Sequence, residues 1–430
     1  MEPRLCRRYA QLVAAQSNSV SELAAGMKAL PNGTQAFAHT QALWRFLANE
    51  RTTPQVLIEP VLAHARAAVG ECCDEYALIA HDWSRLNFNR HASKADRVTM
   101  THATDVGYEL QSSVLMGDRQ GDPVGALAQN LAMEQGVWST YRAGCQAAVP
   151  HLEELSERMR WLEQQSLSKP LVHIVDREAD SIAHLRAWDE ARQRFVIRAK
   201  EGRIVQYAGE SVSLRAVAER LNYQHARDLD YQGRPAVQWI AATTIVIDRP
   251  AKPKRIDVNG DRVTPVRGAP LSVRLIVSRI EDAHGKQIAT WYLLSNVDMS
   301  VDAARVALWY YWRWRIESYF KLLKGAGHHV ESWEQETGLA ILKRILIASH
   351  ACALAWTLQR ASDPNAQATA AFVVRLSGRQ MKRSQRITAP ALLAGLYQLF
   401  AMLDILEHYS LDELKVHARL AFPQFSRLRS

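Results

Sequence analysis

Four strand-like segments follow one another from Tyr76 onward, and this succession constrains the fold more than any other feature of the sequence. Each segment is largely apolar and is separated from the next by turn residues, which is typical of neighbouring strands. A charged amphipathic helix begins at His151, and strands and helices alternate after it. A group of strands followed by alternating strands and helices predicts an α/β fold, with helices on the faces of a mixed sheet. The four segments are YALIAHDWSRLNF, RVTMTHAT, GYELQSSVLMG and PVGALAQNLAM.

The flanking and inserted regions differ from this core in composition. The first 72 residues have a helical pattern, in which Thr53 is a predicted N-cap and Pro54 the first helical residue. Residues 202–291 are rich in Val, Ile, Thr, Pro and Gly, which predicts a separate β subdomain inserted into the α/β domain. We therefore divide the chain into a helical domain at 1–72, a core at 73–201 and 292–345, the insertion at 202–291 and a helical region at 346–430.

Charge and cysteine usage narrow the class of protein. The formal net charge of +9 over 430 residues favours a polyanionic partner. No run approaches 18 apolar residues and the N-terminus has no apolar signal core, so we expect a cytoplasmic protein without a membrane span. The cysteine count of 5 is odd and includes no C-x-x-C pair, which argues against a disulfide framework and a zinc site.

Two aspartates directly follow apolar, strand-like runs. Asp82 comes after YALIAH, and Asp176 comes after LVHIV. In α/β sheets, residues just past the strand ends line the crevice in which ligands bind. The alternative for each acid alone is a solvent-facing residue or a helix cap.

The stretch Trp309–Gly327, WYYWRWRIESYFKLLKGAG, predicts one helix that ends at Gly325 and Gly327. At about 100° per residue, five polar side chains fall within an arc of roughly 80°. One acid among cations suits an acid that holds a metal while its neighbours hold phosphate. The alternative is a solvated face stabilised by an ion pair between residues four apart, Arg313 and Glu317. The five side chains are Tyr310, Arg313, Glu317, Lys321 and Lys324.

Together, Asp82, Asp176 and Glu317 could form a cage of hard oxygen ligands for Mg²⁺, with Mn²⁺ able to substitute. Two such ions, about 3.5–4 Å apart, activate a water or a 3′-hydroxyl and stabilise the leaving oxygen of a phosphodiester. Carboxylates suit this role because they bind hard cations without needing a shifted pKa.

These residues resemble the signature of a known family. The spacing Tyr310-x-x-Arg313-x-x-x-Glu317-x-x-x-x-x-x-Lys324 is similar to the Y-(2)-R-(3)-E-(6)-K (YREK) signature of DDE insertion-sequence transposases of the fourth family, the Tn-five type. The block Asp176-Arg-Glu-Ala-Asp180 resembles the segment around the second catalytic Asp of that family. Asp82 occupies the place of the first.

The resemblance implies an RNase H-like catalytic core with a β insertion between the second Asp and the Glu, where residues 202–291 lie. It also implies an N-terminal helical domain that binds the element ends, and a C-terminal helical region with a role in dimerisation. The implied activity is cut-and-paste transposition: nicking at each end, hairpin formation by the 3′-hydroxyl, hairpin opening and strand transfer into target DNA.

The resemblance also assigns roles to residues. Asp82, Asp176 and Glu317 would be the catalytic metal ligands. Trp291 would stack on a flipped base, although a core aromatic at a strand end is the alternative. The residues expected to contact DNA are Tyr310, Arg313, Lys321, Lys324, Trp291, Arg198 and Lys200, of which the last two could equally be ordinary strand surface.

The expected partners are DNA, as terminal inverted repeats and target, and a second copy of the chain in the synaptic complex. Two other functions stay open at this point. One is a DNA-binding regulator of transposition that does not cut. The other is a different RNase H-like nuclease, acting on RNA or branched DNA.

Overall fold

The computed structural model describes residues 1–17, 33–251, 268–379 and 387–421. Three helices precede the sheet: α1 (Pro3–Ser17), α2 (Gly33–Ala48) and α3 (Pro54–Cys72). Thr53 caps α3, because its side chain accepts a hydrogen bond from the Val56 amide, and Pro54 opens the helix as predicted. The three helices pack on a long helix near the C-terminus, where the Tyr9 hydroxyl lies 3.1 Å from the His350 ring.

A large mixed sheet with helices around it confirms the α/β expectation. The strand-like segments from Tyr76 onward form neighbouring strands, and alternating strands and helices follow them. The elements are β1 (Ala77–Asn87), β2 (Val98–Thr99), β3 (Val106–Gly117), β4 (Pro123–Met133), β5 (Gly136–Ser139), β6 (Cys145–Gln146), α4 (His151–Glu163), β7 (Leu171–Val175), α5 (Ile182–Glu190) and β8 (Arg194–Ala199).

The centre of the sheet combines antiparallel and parallel pairs. Strand β1 pairs with β3 and β3 with β4, both antiparallel. On its other side β1 pairs with β7, and β7 with β8, both parallel. The order β4-β3-β1-β7-β8 therefore places the two strands that lead into Asp82 and Asp176 side by side at the centre.

The inserted segment extends the same sheet, whereas the sequence predicted a separate β subdomain. Strand β14 (Gln287–Ser295) pairs with β8 in antiparallel fashion, with Tyr292 opposite Ala199. Its apolar side chains share one core with α4, α5 and β8. The free edge of β8 thus obtains hydrogen-bond partners that an isolated subdomain would not supply. The other elements are β9 (Ile204–Tyr207), β10 (Glu210–Ser213), α6 (Leu214–Glu219), β11 (Gln224–Tyr231), β12 (Arg234–Ile247) and β13 (Leu271–Asp282).

The predicted single helix at 309–327 is two helices, α7 (Ala303–Trp312) and α8 (Arg315–Leu323). At the junction the backbone keeps right-handed angles, but the hydrogen bonds from the amides of Ile316 and Glu317 reach back only three residues. Hydrogen bonds that reach back three residues are typical of a 3₁₀ turn, and this turn separates α8 from α7. The predicted end is confirmed, since α8 stops just before Lys324 and Gly325.

Four helices complete the described chain: α9 (Gly338–Arg360), α10 (Pro364–Leu376), α11 (Ala389–Leu406) and α12 (Leu411–Ala421). By length and composition alone, α9 and α11 are apolar enough to cross a membrane, contrary to the expectation from the sequence. For α9 the packing explains this composition, because 78% of its apolar window is buried inside the protein. The corresponding fraction for α11 is 28%, so much of its apolar surface is uncovered.

Candidate active site

Asp82 and Asp176 lie at matching positions on two neighbouring parallel strands. The last hydrogen-bonded pair of β1 and β7 is Ala80 with Ile174. Each aspartate comes two residues later. Because side chains alternate along a strand and adjacent strands lie about 4.8 Å apart, this register places the two carboxyl groups on one face of the sheet. Two acids that are distant in sequence are thereby brought together.

Glu317 joins the two aspartates from the first turn of α8. Burial raises the pKa of its carboxyl group, and the negative charge of Asp82 raises it further. The cations that oppose this effect are Arg313, Lys321 and Lys324. An influence of one carboxylate on the other requires that the two lie within electrostatic range. Asp176 and Glu317 each lie within electrostatic range of Asp82, and we call the three acids the acidic cluster (Asp82, Asp176 and Glu317).

Arg313 contacts the acidic cluster directly. Its Nη1 donates a hydrogen bond to Asp82 Oδ2 at 2.7 Å. The Arg313 side chain is 11% exposed and that of Asp82 is 14% exposed, so the ion pair is largely shielded from water. The other carboxylate oxygen, Oδ1, accepts a hydrogen bond from the Trp83 amide at 2.9 Å. Both oxygens of Asp82 are therefore engaged.

Burial and neighbouring charges of opposite sign act in opposite directions on the pKa values of Asp82 and Arg313. Burial raises the pKa of Asp82 and the charge of Asp176 adds to this, whereas Arg313 lowers it without cancelling the shift. For Arg313, burial lowers the pKa, but Tyr310, Asp82 and Asp176 outweigh burial and raise it. The guanidinium is therefore charged, and its positive charge is the nearest compensation for a crowded set of carboxylates.

The cluster has the chemistry of a site for hard cations, since carboxylate oxygens are the ligands that Mg²⁺ and Mn²⁺ prefer. Its conformation does not match that chemistry. Within the ranges that the structure describes, no three His, Cys, Asp or Glu side chains lie close enough together to hold a metal ion. The guanidinium of Arg313 holds the Asp82 oxygen that a metal would need.

Trp291 and Tyr310 are both buried. Trp291 is 8% exposed and Tyr310 is 5% exposed. Their ring centroids are 5.4 Å apart, and the rings of Tyr231 and Tyr311 pack around Trp291 as well. This packing agrees with the alternative of a core aromatic for Trp291, and the DNA contacts of both residues stay predictions.

The basic residues of β8 differ in their surroundings. Arg198 is partly buried and close enough to Tyr310 that its charge lowers the pKa of the phenol, which burial otherwise raises. Lys200 is exposed. Its backbone amide donates to Asp180 Oδ2 at 2.9 Å, and Asp180 also forms an ion pair with Arg203. The end of β8 is therefore fixed to the loop that follows Asp176.

The two lysines of α8 lie at the rim of the cluster. Lys321 is exposed. The Lys324 ammonium donates to the Arg85 carbonyl oxygen and lies 3.8 Å from Glu331. Both charges lower the pKa of Glu317, so they are within electrostatic range of the acids. Their position suits contact with a phosphate that approaches the cluster from solvent.

Trp314 is a candidate that the sequence analysis missed. It lies at the junction of α7 and α8, one residue after Arg313, and is 62% exposed. A single exposed aromatic side chain is common on protein surfaces, so Trp314 is a candidate because of its place next to Arg313. The signal in the sequence was a tryptophan between two arginines, and the assumption of one straight helix hid it.

A buried chain of hydrogen bonds, also missed, lies beneath the two aspartates. Glu163 Oε1 accepts from His173 Nε2 at 3.2 Å, and His173 Nδ1 lies 2.9 Å from His81 Nε2. His81 Nδ1 lies 2.8 Å from the Ser113 hydroxyl. Both rings are buried, and burial holds the pKa of His81 well below its usual value. We call this the His81–His173 chain; it crosses β3, β1, β7 and α4.

Comparison with known proteins gives limited information. No protein-family model matches the chain. Among solved structures, the chain is similar to a piggyBac transposase in a cryo-EM structure of its synaptic complex with hairpin DNA. The identity is 12% and the TM-score 0.36, over 94% of this chain and 72% of that chain. Since both values are low, what this protein does is argued from its own site.

Proposed function

We propose that this protein is a DDE transposase, a DNA endonuclease and strand transferase that moves an insertion element by cutting and pasting. The observation that carries the proposal is the acidic cluster: the register of β1 and β7 sets Asp82 beside Asp176, and α8 brings Glu317 within range of Asp82. The same three acids were selected from the sequence by their order and by the spacing of the YREK signature. Agreement between a spaced signature and a three-dimensional cluster supports the assignment.

We also propose that the core is RNase H-like. Three antiparallel strands, β4, β3 and β1, followed by two parallel strands, β7 and β8, support this view. The acids lie at the two central strands of this sheet: Asp82 is within β1, and Asp176 directly follows β7. The strands between β8 and α7 occupy the position of the expected insertion.

In the proposed reaction, Asp82, Asp176 and Glu317 would hold Mg²⁺ or Mn²⁺. Two such ions would supply activation of the attacking hydroxyl and stabilisation of the leaving oxygen. The chain's own cations bind and orient the backbone of the DNA: Lys321 and Lys324 lie at the rim, and Arg313 lies between the rim and Asp82. Exposed Trp314 offers a ring on which a base can stack.

The proposed partners are DNA and a second copy of the chain. The net charge of +9 supports attraction to DNA. Apolar side chains left exposed on α11 and α12 support a dimer contact in the C-terminal region: Met402, Leu403, Leu406, Leu411, Val416 and Leu420. The hairpin intermediate and the terminal inverted repeats are proposed from the family resemblance alone.

A cleavage assay tests the proposal, with DNA that carries the terminal inverted repeats on either side of the gene as the substrate. With Mg²⁺, we expect Asp82→Asn, Asp176→Asn and Glu317→Gln each to reduce the cleavage rate by about a thousandfold or more, the scale on which essential catalytic groups act. Binding to the ends should remain, because phosphate contacts dominate affinity. The matched control is Glu334→Gln, an acid outside the cluster whose side chain is 70% exposed.

Normal cleavage by any one of the three cluster variants would refute the assignment. Strand transfer from a pre-cleaved end separates a transposase from another nuclease with the same core. A protein that binds the ends but never cuts them, in Mg²⁺ or in Mn²⁺, would be a regulator.

A further inference from the structure

Arg313 is placed as the counter-ion of the whole acidic cluster. It donates to Asp82 Oδ2 at 2.7 Å, its own pKa is raised by Asp82 and Asp176 after burial has lowered it, and its charge lowers the pKa of Glu317. The guanidinium therefore contacts Asp82 and lies within electrostatic range of Asp176 and Glu317. Its side chain is 11% exposed, so water does little to screen these interactions.

Removing this charge would leave the cluster uncompensated. A buried ion pair adds little net stability, because both charges lose their contact with water. Removing only one partner is strongly destabilising, since the other charge is then buried without compensation. Asp82 is 14% exposed and its pKa is already raised by burial and by Asp176. The free protein therefore keeps Arg313 on Asp82 unless another cation takes that position.

A divalent cation and Arg313 compete for the same oxygen. The Trp83 amide engages Asp82 Oδ1, and Arg313 engages Oδ2. Across the residues that the structure describes, no three metal-ligating side chains are close enough together to hold an ion, and Arg313 occupies the Asp82 oxygen that an ion would need. Ion binding thus requires Arg313 to find another partner, since a guanidinium with no anion beside it would itself be buried at a cost.

A DNA phosphate is the partner that suits Arg313. Guanidinium groups bind phosphate through two parallel hydrogen bonds. Lys321 on α8 and Lys324 at its C-terminal end lie within electrostatic range of Glu317 and would attract the DNA backbone. Arg313 lies at the junction between α7 and α8.

We propose that Arg313 closes the acidic cluster to divalent cations in the free protein, and that DNA opens it by drawing Arg313 onto a phosphate. This rests on the proposed function. Cation and DNA then bind cooperatively, and by linkage each increases the affinity for the other by the same factor.

The test measures Mn²⁺ binding to the full chain by electron paramagnetic resonance. The measurement is made once without DNA and once with a duplex that carries the element end. For the wild type we expect binding at least about tenfold tighter with DNA, within the usual range of coupling between sites. Arg313→Met, which keeps the aliphatic stem, should bind Mn²⁺ without DNA about tenfold more tightly than the wild type and lose most of the dependence on DNA.

Arg315→Met is the matched control, because Arg315 is two residues away and contacts Asp122 rather than the cluster, at 2.8 Å. It should bind Mn²⁺ like the wild type. If Arg313→Met does not fold, judged by circular dichroism, Arg313→Lys keeps the charge without the planar fork. In the Arg313→Lys variant, the effect of DNA on Mn²⁺ affinity should be smaller than in the wild type but larger than in a protein without the charge.

Equal Mn²⁺ affinity of the wild type with and without DNA would overturn the inference, as would an Arg313→Met or Arg313→Lys variant with unchanged coupling. If the wild type still cuts DNA in Mn²⁺ in that case, the proposed function stands and only the role of Arg313 falls. If the wild type neither binds Mn²⁺ on DNA nor cuts it, the proposed function itself fails.

Discussion

Glu317 carries its negative charge at a position where the fold disfavours one. Burial raises the pKa of its carboxyl, and Asp82 raises it further. An acid with a raised pKa in the folded state destabilises that state once it is ionised. Such a charge persists where function needs it, so the cost to stability is itself a sign of an active-site role.

Replacing Glu317 by Gln should therefore stabilise the protein while it abolishes cleavage. We expect a rise in Tm of about 1–3 °C at pH 7, since the neutral amide removes the repulsion with Asp82. Differential scanning calorimetry measures this change. The same substitution at Glu334, outside the cluster, should leave Tm unchanged. A lower Tm for Glu317→Gln would contradict the electrostatic account.

The pH dependence of this difference follows from the direction of the pKa shift. The folded-state pKa of Glu317 lies above the ordinary value of 4.5. Below pH 4.5 both the folded and unfolded states hold the proton, so the charge costs nothing. The cost appears as the pH rises through the folded-state pKa. The advantage of Glu317→Gln should therefore be full at pH 7 and shrink towards pH 4.5 in urea unfolding; an advantage that grows on acidification would be inconsistent with it.

Trp314 should contribute to DNA binding without contributing to stability. Stacking of a base on an aromatic ring is worth about 1–3 kcal/mol, so Trp314→Ala should weaken end binding by about 5- to 150-fold. Fluorescence anisotropy with a labelled duplex measures the affinity. Phe372 is the control, since it is 50% exposed on α10, outside residues 1–72 and outside the cluster, and Phe372→Ala should bind normally. Equal losses in both variants would remove the special role of Trp314.

Among the elements, β1 and β7 are held in register by more than their backbone. The His81–His173 chain joins them by side chains, directly beneath the positions from which Asp82 and Asp176 project. Because Glu163 accepts, each ring in turn donates from Nε2 and accepts at Nδ1, and the Ser113 hydroxyl completes the chain. Every ring nitrogen is satisfied in a buried setting where a missing partner is costly.

Replacing one ring of the His81–His173 chain should lower the free energy of unfolding by more per residue than replacing both rings. We expect His173→Leu to lower the free energy of unfolding by about 1–3 kcal/mol, because the His81 Nε2–H loses its acceptor. Adding His81→Leu should then cost less than the sum of the single changes. His102→Leu, at an exposed position, serves as the control. Strict additivity in urea unfolding would show that the two rings do not act together.

At the scale of elements, the sequence predicted the two strands of the site better than it predicted α7 and α8, which it joined into one helix. Apolar runs before Asp82 and Asp176 located the two central strands, because an acid after an apolar run is a local pattern. Strand β7 ends just before Asp176, whereas β1 continues past Asp82 to Asn87. The break after Trp312 had no local signal: residues 309–324 contain neither Pro nor Gly. The burial of Trp291 and Tyr310 was equally hidden, since their spacing is the same whether they face DNA or the core.

For the whole molecule, the main departure from expectation is the continuity of the sheet. The sequence predicted a separate unit at residues 202–291 because the amino-acid composition changes abruptly there. Which edge they pair with depends on contacts between distant segments, and β14 with β8 is such a pair. No local pattern encodes that choice. The surrounding α/β order could be predicted because it follows from the succession of elements along the chain.

A continuous sheet should unfold as one unit. We expect amides of β13 and β14 to exchange with the same free energy as those of β1 and β7, because they share hydrogen bonds and apolar cores. Native-state hydrogen exchange with mass spectrometry measures this along the chain. Exchange of β13 and β14 through a separate, lower-energy opening would show that the insertion is an independent domain.

The central claim is that Asp82, Asp176 and Glu317 converge on the same bound ions. Iron-mediated cleavage of the polypeptide tests it most directly. Fe²⁺ replaces Mg²⁺ in the complex with element-end DNA, and the hydroxyl radicals that it generates from added hydrogen peroxide cut the backbone next to the ion. We predict cuts close to residues 82, 176 and 317 together, all lost in Asp176→Asn. Cuts beside only one of the three, or a pattern that Asp176→Asn leaves unchanged, would contradict the account.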